Sequence, residues 1–186
     1  MNIVNCISKE EFNNWLEKHS KDEKECWICV KKGKPVSDSQ FYYIDAVEVA
    51  LCYGWIDSTN KEIDGVRYQR FSPRNKLSPW SELNKERCRR LIKLGLMTQE
   101  GLKVLPPLNR KFKIDEDIVK ALKKARVYTK FKSFHPLYQR IRAYNVAFYK
   151  RIDIDMYQKA LDHLITETKK GKMFGEWNDY GRLLDY

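Results

Sequence analysis

The chain alternates between helical and strand-like hydrophobic spacing, and the changes mark its elements. In "SKEEFNNWLEKH", Phe12, Trp15 and Leu16 fall on one helical face. Ser8, with Glu11 three residues later, forms the capping box that opens such a helix. "ECWICVKKG" reads as a strand around Trp27 to Lys31, closed by Gly33. "FYYIDAVEVALCYG" returns to helical spacing, with Tyr43, Ala46, Val47, Ala50 and Leu51 on one stripe and Gly54 as the stop. "WIDS" and "VRYQRFS" read as two short strands joined through "TNKEIDG", a polar turn ending in Asp-Gly. These pieces assemble naturally as a small antiparallel sheet with helices on one face.

Beyond Pro73 the pattern is helical. Ser78 is the expected N-cap of a helix with Pro79 at its first position, running to Leu94 before Gly95. "MTQEGLKVLPP" predicts a shorter helix capped by Thr98 and broken by Pro106. After a basic linker, "LNRKFKI", Asp115 caps a helix that turns Ile118, Val119, Leu122 and Ala125 inward. Two longer helices follow, from Pro136 to Lys150 and from Ile154 to Lys170, the second ended by Gly171. The tail "MFGEWNDYGRLLDY" is rich enough in aromatic residues to dock onto the body. The fold class is therefore α+β: a sheet-bearing domain over 1–105 and a mostly helical lobe over 106–186, or one continuous domain.

Composition adds class and charge. A chain of 186 residues with 42% hydrophobic and 13% aromatic residues has enough apolar mass for a real core. No apolar run approaches the roughly 20 residues that span a bilayer, and the first residues carry no export signature. A cytoplasmic protein that does not cross membranes is the expectation. The five cysteines should then be reduced thiols. Cys26 and Cys29 form a C-x-x-C, but on a strand their side chains face opposite sides, which suits neither redox nor metal chemistry. Residues 73–151 hold 21 Lys and Arg against 6 Asp and Glu, whereas the flanking blocks are each net −2. The net +11 of the chain therefore resides in its middle. Such a field favours anionic partners, although a solvated lysine-rich face would look the same.

No catalytic constellation is visible. The chain lacks phosphate-binding glycine loops, a G-x-S-x-G elbow and paired metal-ligand histidines, and neither cofactor nor metal is expected. The one suggestive stretch is "QRFSPRNKLSPWSELN" combined with "GWIDS". Pairing of the two strands would bring Asp57 near Arg70, and Arg70 and Arg74 lead into a helix N-terminus where Ser78 and Ser81 add hydroxyls. The candidate ligand site is Trp55, Asp57, Arg70, Phe71, Arg74, Ser78, Trp80, Ser81 and Asn84, with the arginines holding an anion between tryptophan walls. The same residues also read as an ordinary cap and core stripe.

"ALCYGWIDS", "RFSPRNKLSPWSELNKER" and "GLMTQEGL" carry a resemblance to the YdeI/OmpD-associated, bacteriocin-protection family. That family is similar in reading A-L-C-[FY]-G-W-I-D, R-F-[ST]-P-R, S-x-W-S-x-x-N and G-x-M-T-x-x-G, in this order, over about residues 46 to 102. Its A-K-x-x-x-T-R-like run has no counterpart here, where "AYNVAFYKRID" stands. The resemblance implies a bacterial cytosolic accessory protein linked to envelope stress or antibacterial-peptide tolerance, acting by binding an anionic small molecule or a protein partner. Two further readings stand beside it. One is nucleic-acid binding through the basic segment 73–151, and the other is an enzyme acting on an anionic metabolite.

Overall fold

In the computed structural model, which describes residues 1–186 apart from Asp38 and Asp185, the capping box opens the first helix as expected. Ser8 Oγ accepts from the Glu11 amide at 3.1 Å, and the Glu11 carboxylate accepts from Ile7 at 2.9 Å. The elements that follow in the first half are α1 (Lys9–His19), β1 (Cys26–Cys29), α2 (Tyr43–Cys52), β2 (Trp55–Ile63) and β3 (Val66–Pro73). The second half holds α3 (Glu82–Lys93), α4 (Gln99–Lys103), α5 (Glu116–Lys124), α6 (Tyr128–Ser133), α7 (Pro136–Tyr149) and α8 (Ile154–Lys169). The protein is α+β, with a three-stranded antiparallel sheet ordered β1-β3-β2.

The chain forms two compact units: Met1–Pro79 with Arg87–Leu108 and Tyr186, and Trp80–Glu86 with Asn109–Asp185. In the first, β2 and β3 meet at Asp64 and Gly65, both at positive φ (49° and 76°), the geometry of a hairpin turn that follows strand twist. A bulge between Asp57 and Asn60 shifts the register, so the strands run longer than the hydrophobic pattern suggests. Phe12, Leu16, Ile28, Trp55 and Phe71 are all but fully buried. The Phe12 ring lies 5.5 Å from Phe71, and Trp15 meets Trp55 edge-on at 5.9 Å.

The second unit packs α5 to α8 around Ile118, Leu122, Phe131, Tyr138, Ile141 and Leu164. The aromatic tail joins this core. Trp177 stands edge-on to Tyr138 at 5.7 Å, and Leu183 is buried. The Arg142 guanidinium lies over the Phe174 ring at 4.5 Å. It occupies the space that a Cβ on Gly175 would need, which with the +67° φ explains the glycine.

Two expectations need correction. Ser78 does not cap α3; its amide closes a turn onto the Asn75 carbonyl at 3.0 Å. Ser81 takes that role, its hydroxyl accepting from the Asn84 amide at 3.1 Å. The local pattern offered two serines before the same helix, and the one followed directly by acidic Glu82 prevails. The second is α6, which the sequence pattern did not single out. It is a six-residue helix whose buried residue is Phe131.

Candidate anion sites

The stretch around β2 and β3 does not assemble as the residue pattern suggests. Asp57 sits opposite Phe71, while Arg70 sits opposite Trp27 of β1. Neighbouring strand residues point to opposite faces, so Asp57 cannot orient Arg70. Instead the Tyr43 hydroxyl donates to Asp57 Oδ2 at 2.5 Å. Arg70 Nε donates to Glu25 Oε2 at 2.5 Å, and its Nη1 donates to Ser58 Oγ at 3.2 Å. Glu25 also accepts from Trp27 Nε1 at 3.0 Å and faces the N-terminal ammonium at 3.9 Å. The hydrogen bond from Arg70, then that from Trp27, hold its carboxyl below the usual glutamate range. The charge on Arg70 is therefore answered within the protein.

Several of the other proposed residues are tied into the fold. Trp55 is 1% exposed and donates from Nε1 to the Ser20 carbonyl at 3.2 Å, and Phe71 is fully buried. Arg74 is 7% exposed; its amide donates to the Gly54 carbonyl at 2.9 Å and its Nη2 to the Pro79 carbonyl at 2.5 Å. Ser78 lies in the turn described above. Trp80, Ser81 and Asn84 belong to the second unit, whereas Trp55, Asp57, Arg70, Phe71, Arg74 and Ser78 belong to the first.

Two of the sequence blocks quoted above interlock through backbone. Thr98, from "GLMTQEGL", donates from both its amide (3.1 Å) and its hydroxyl (2.6 Å) to the carbonyl of Cys52, in "ALCYGW". A Cβ on Gly101 would collide with that same carbonyl, and one on Gly54 would press on Val104 and the Glu100 carbonyl. Burial pushes the Cys52 and Cys88 thiols up to about 12, and the Cys26 thiol likewise, so these sulfurs are poor nucleophiles. Cys29, at the exposed end of β1, faces away from Cys26 as the strand geometry requires.

A different site appears in the second unit. A groove of about 510 Å³ is lined by Lys113, Lys120, Lys123 and Lys132, with Phe112 and Tyr128 as ring walls. Ile114 and Val119 contribute aliphatic surface, and Glu116 is the one acid in the lining. Lys113, ahead of α5, pairs with Glu116 at 3.0 Å and Lys120 pairs with Asp117 one turn away on α5 at 3.8 Å, both exposed pairs of small stabilising value. Lys123 lies over the Tyr128 ring at 5.4 Å, and Lys132 donates to Gln139 Oε1 at 2.7 Å. Among the described residues neither has a carboxylate partner.

A family model described as a domain of unknown function, DUF8412, matches residues 4–104. The chain belongs to that family. No curated protein and no solved structure matches it. The DUF8412 region takes in α1 to α4 and the whole sheet, hence every interlocking contact above, and it ends before Phe112, where the groove lining begins.

The groove outside the DUF8412 region was missed because its positions come from three separate stretches. Its signal was present: Lys120 and Lys123 are one turn apart on α5, and Tyr128 and Lys132 are one turn apart on α6. Without α6 in the predicted elements, the second pair could not be placed on a common face. Among the described residues no group of three or more His, Cys, Asp or Glu is arranged to hold a metal ion. Among the described residues no helix is long and apolar enough to cross a membrane.

Proposed function

We propose that the protein is an accessory protein of the kind implied by the YdeI/OmpD-associated resemblance, acting by binding an anionic partner in the lysine groove of the second unit. One observation carries the reading. Four ammonium groups line one groove, and two of them, on Lys123 and Lys132, lack a carboxylate partner among the described residues. A volume of about 510 Å³ lies within the range of small-ligand sites. A concave, low-dielectric wall lined by one sign of charge concentrates oppositely charged ligands. The arginines of "QRFSPRNKLSPWSELN" are weaker candidates, because Arg70 is neutralised by Glu25 and Arg74 is tied to the carbonyl of Pro79.

The test is calorimetric titration of the intact protein with inorganic tripolyphosphate at low salt. The double substitution Lys123→Gln/Lys132→Gln is expected to weaken binding by about tenfold or more, since charge-assisted contacts contribute about 1.5–3 kcal/mol each. Arg70→Ala is expected to leave it unchanged. Undiminished binding by the double variant, or no binding by the parent protein, overturns the proposal.

A further inference from the structure

The cations around the groove extend well beyond it. Residues 109–151 carry 13 Lys and Arg against 3 Asp and Glu. Arg110 and Lys111 precede the groove-lining residues in the chain, Lys124 ends α5 and Arg126 follows it; all four are exposed and without a carboxylate partner among the described residues. A single phosphate needs no such extension, whereas a chain of phosphates does. The groove itself adds two half-buried rings, Phe112 and Tyr128, among the lysines.

Arg126 makes the pattern harder to dismiss as a solvated helix end. Helix α5 closes with a double turn-off: the Val127 amide donates to the Leu122 carbonyl and the Arg126 amide to the Lys123 carbonyl, both at 2.9 Å. That motif places its penultimate residue in the left-handed region, where glycine is the usual choice. Here Arg126 occupies it at φ 60°. The backbone would be better served by a glycine, and the residue present instead carries an exposed cationic side chain between the groove-lining Lys123 and Tyr128 in the chain. A strained position that holds a charged side chain points to a use for that charge.

We infer that the groove and its cationic surround hold a single-stranded nucleic acid, with bases stacked on Tyr128 and Phe112 and phosphates tracked by Lys123, Lys132 and Arg126. This rests on the anion reading above and names its occupant. Single strands are bound by rings interleaved with cations, because every base has a face to stack and every linkage a charge. A duplex hides its bases from such rings. A membrane surface fits less well, because none of the exposed large apolar residues falls between Leu102 and Phe148. On binding, a base takes the Tyr128 face now covered by Lys123, and the displaced ammonium is free to meet the adjacent phosphate.

The experiment is fluorescence anisotropy of the full chain with a labelled single-stranded oligonucleotide of roughly a dozen residues across a salt series, spanning common site sizes. Log affinity should fall linearly with log salt, with a slope of about −0.7 per phosphate contacted. Lys123→Gln should reduce that slope by one such step. Tyr128→Ala should weaken the oligonucleotide by about tenfold while leaving the slope and tripolyphosphate binding intact. Arg126→Gly should weaken the oligonucleotide while leaving the melting midpoint equal to or above that of the parent, which separates lost contact from lost fold. Lys61→Gln, on the β2 hairpin, should change nothing. If tripolyphosphate binds but Tyr128→Ala leaves the oligonucleotide affinity unaltered, the stacked single strand is wrong and the anion reading survives. If poly-glutamate binds in place of the oligonucleotide, the occupant is an acidic protein segment and the inference falls. If no polyanion binds, both readings fall together.

Discussion

Glu25 shows how one side chain decides what a neighbouring arginine is available to do. It accepts from Arg70 and Trp27 and faces the N-terminal ammonium, and these contacts depress its pKa in the folded protein. A carboxyl with a depressed folded pKa stabilises the fold above its unfolded pKa, about 4.3 for glutamate, and loses that stabilisation as pH falls toward the folded value. Acid titration followed by circular dichroism should therefore show the parent losing stability below about pH 5, in keeping with that unfolded value. Glu25→Gln should start less stable at neutral pH and show a shallower acid limb. An identical acid limb in the variant would mean that the pair contributes nothing to folding. Arg70 is then a structural cation whose apparent candidacy came from its position in a loop-like stretch.

Among the elements, α4 ties two separated stretches, "GLMTQEGL" and "ALCYGW", together through backbone. Its N-cap Thr98 holds the last carbonyls of α2 through Cys52, and Gly101 lets the two backbones meet. Gly101→Ala should destabilise the protein by about 1–3 kcal/mol, the range for forcing a methyl into a packed contact. Chemical denaturation checks this, and an unchanged midpoint would show that the approach of α4 to α2 can relax freely. Helices with strong caps were legible from residues alone: Ser8, Thr98, Asp115 and Asp153 each accept from an amide in the first turn. Three features were not. The capping of α3 by Ser81 where Ser78 was expected needed the chain's path to reveal it, the bulge after Asp57 shifted a register that alternation alone could not fix, and α6 is too short for a periodic signal. The expected Asp57–Arg70 pairing does not form for the same reason, since a slip of one residue sends the two to opposite faces.

For the whole molecule, the sign of the charge excess was legible and the packing around each cation was not. The charge block over residues 73–151 showed where the positive excess lies along the chain, but whether a given cation is answered by an acid depends on packing. Arg140 is bound by Glu86 at 2.6 Å, Arg90 by Glu48 at 2.7 Å and Lys150 by Asp117 at 2.5 Å. Lys123, Lys124, Arg126 and Lys132 have no such partner among the described residues, and two of them, Lys123 and Lys132, line one groove. Unanswered like charges repel over distances longer than a contact pair, and salt screens the long-range term first. Raising ionic strength from about 10 mM to about 150 mM shortens the Debye length from about 30 Å to about 8 Å. Contact pairs at 2.5–2.7 Å survive that change better than the repulsion between separate ammonium groups. The melting midpoint should therefore rise across this range in a non-binding salt such as sodium chloride. The rise should be smaller in Lys123→Gln/Lys132→Gln, which removes two of the repelling charges. A midpoint that falls with salt would show that ion pairs dominate the balance, and the groove would then lack the unspent positive potential that a polyanion is proposed to meet.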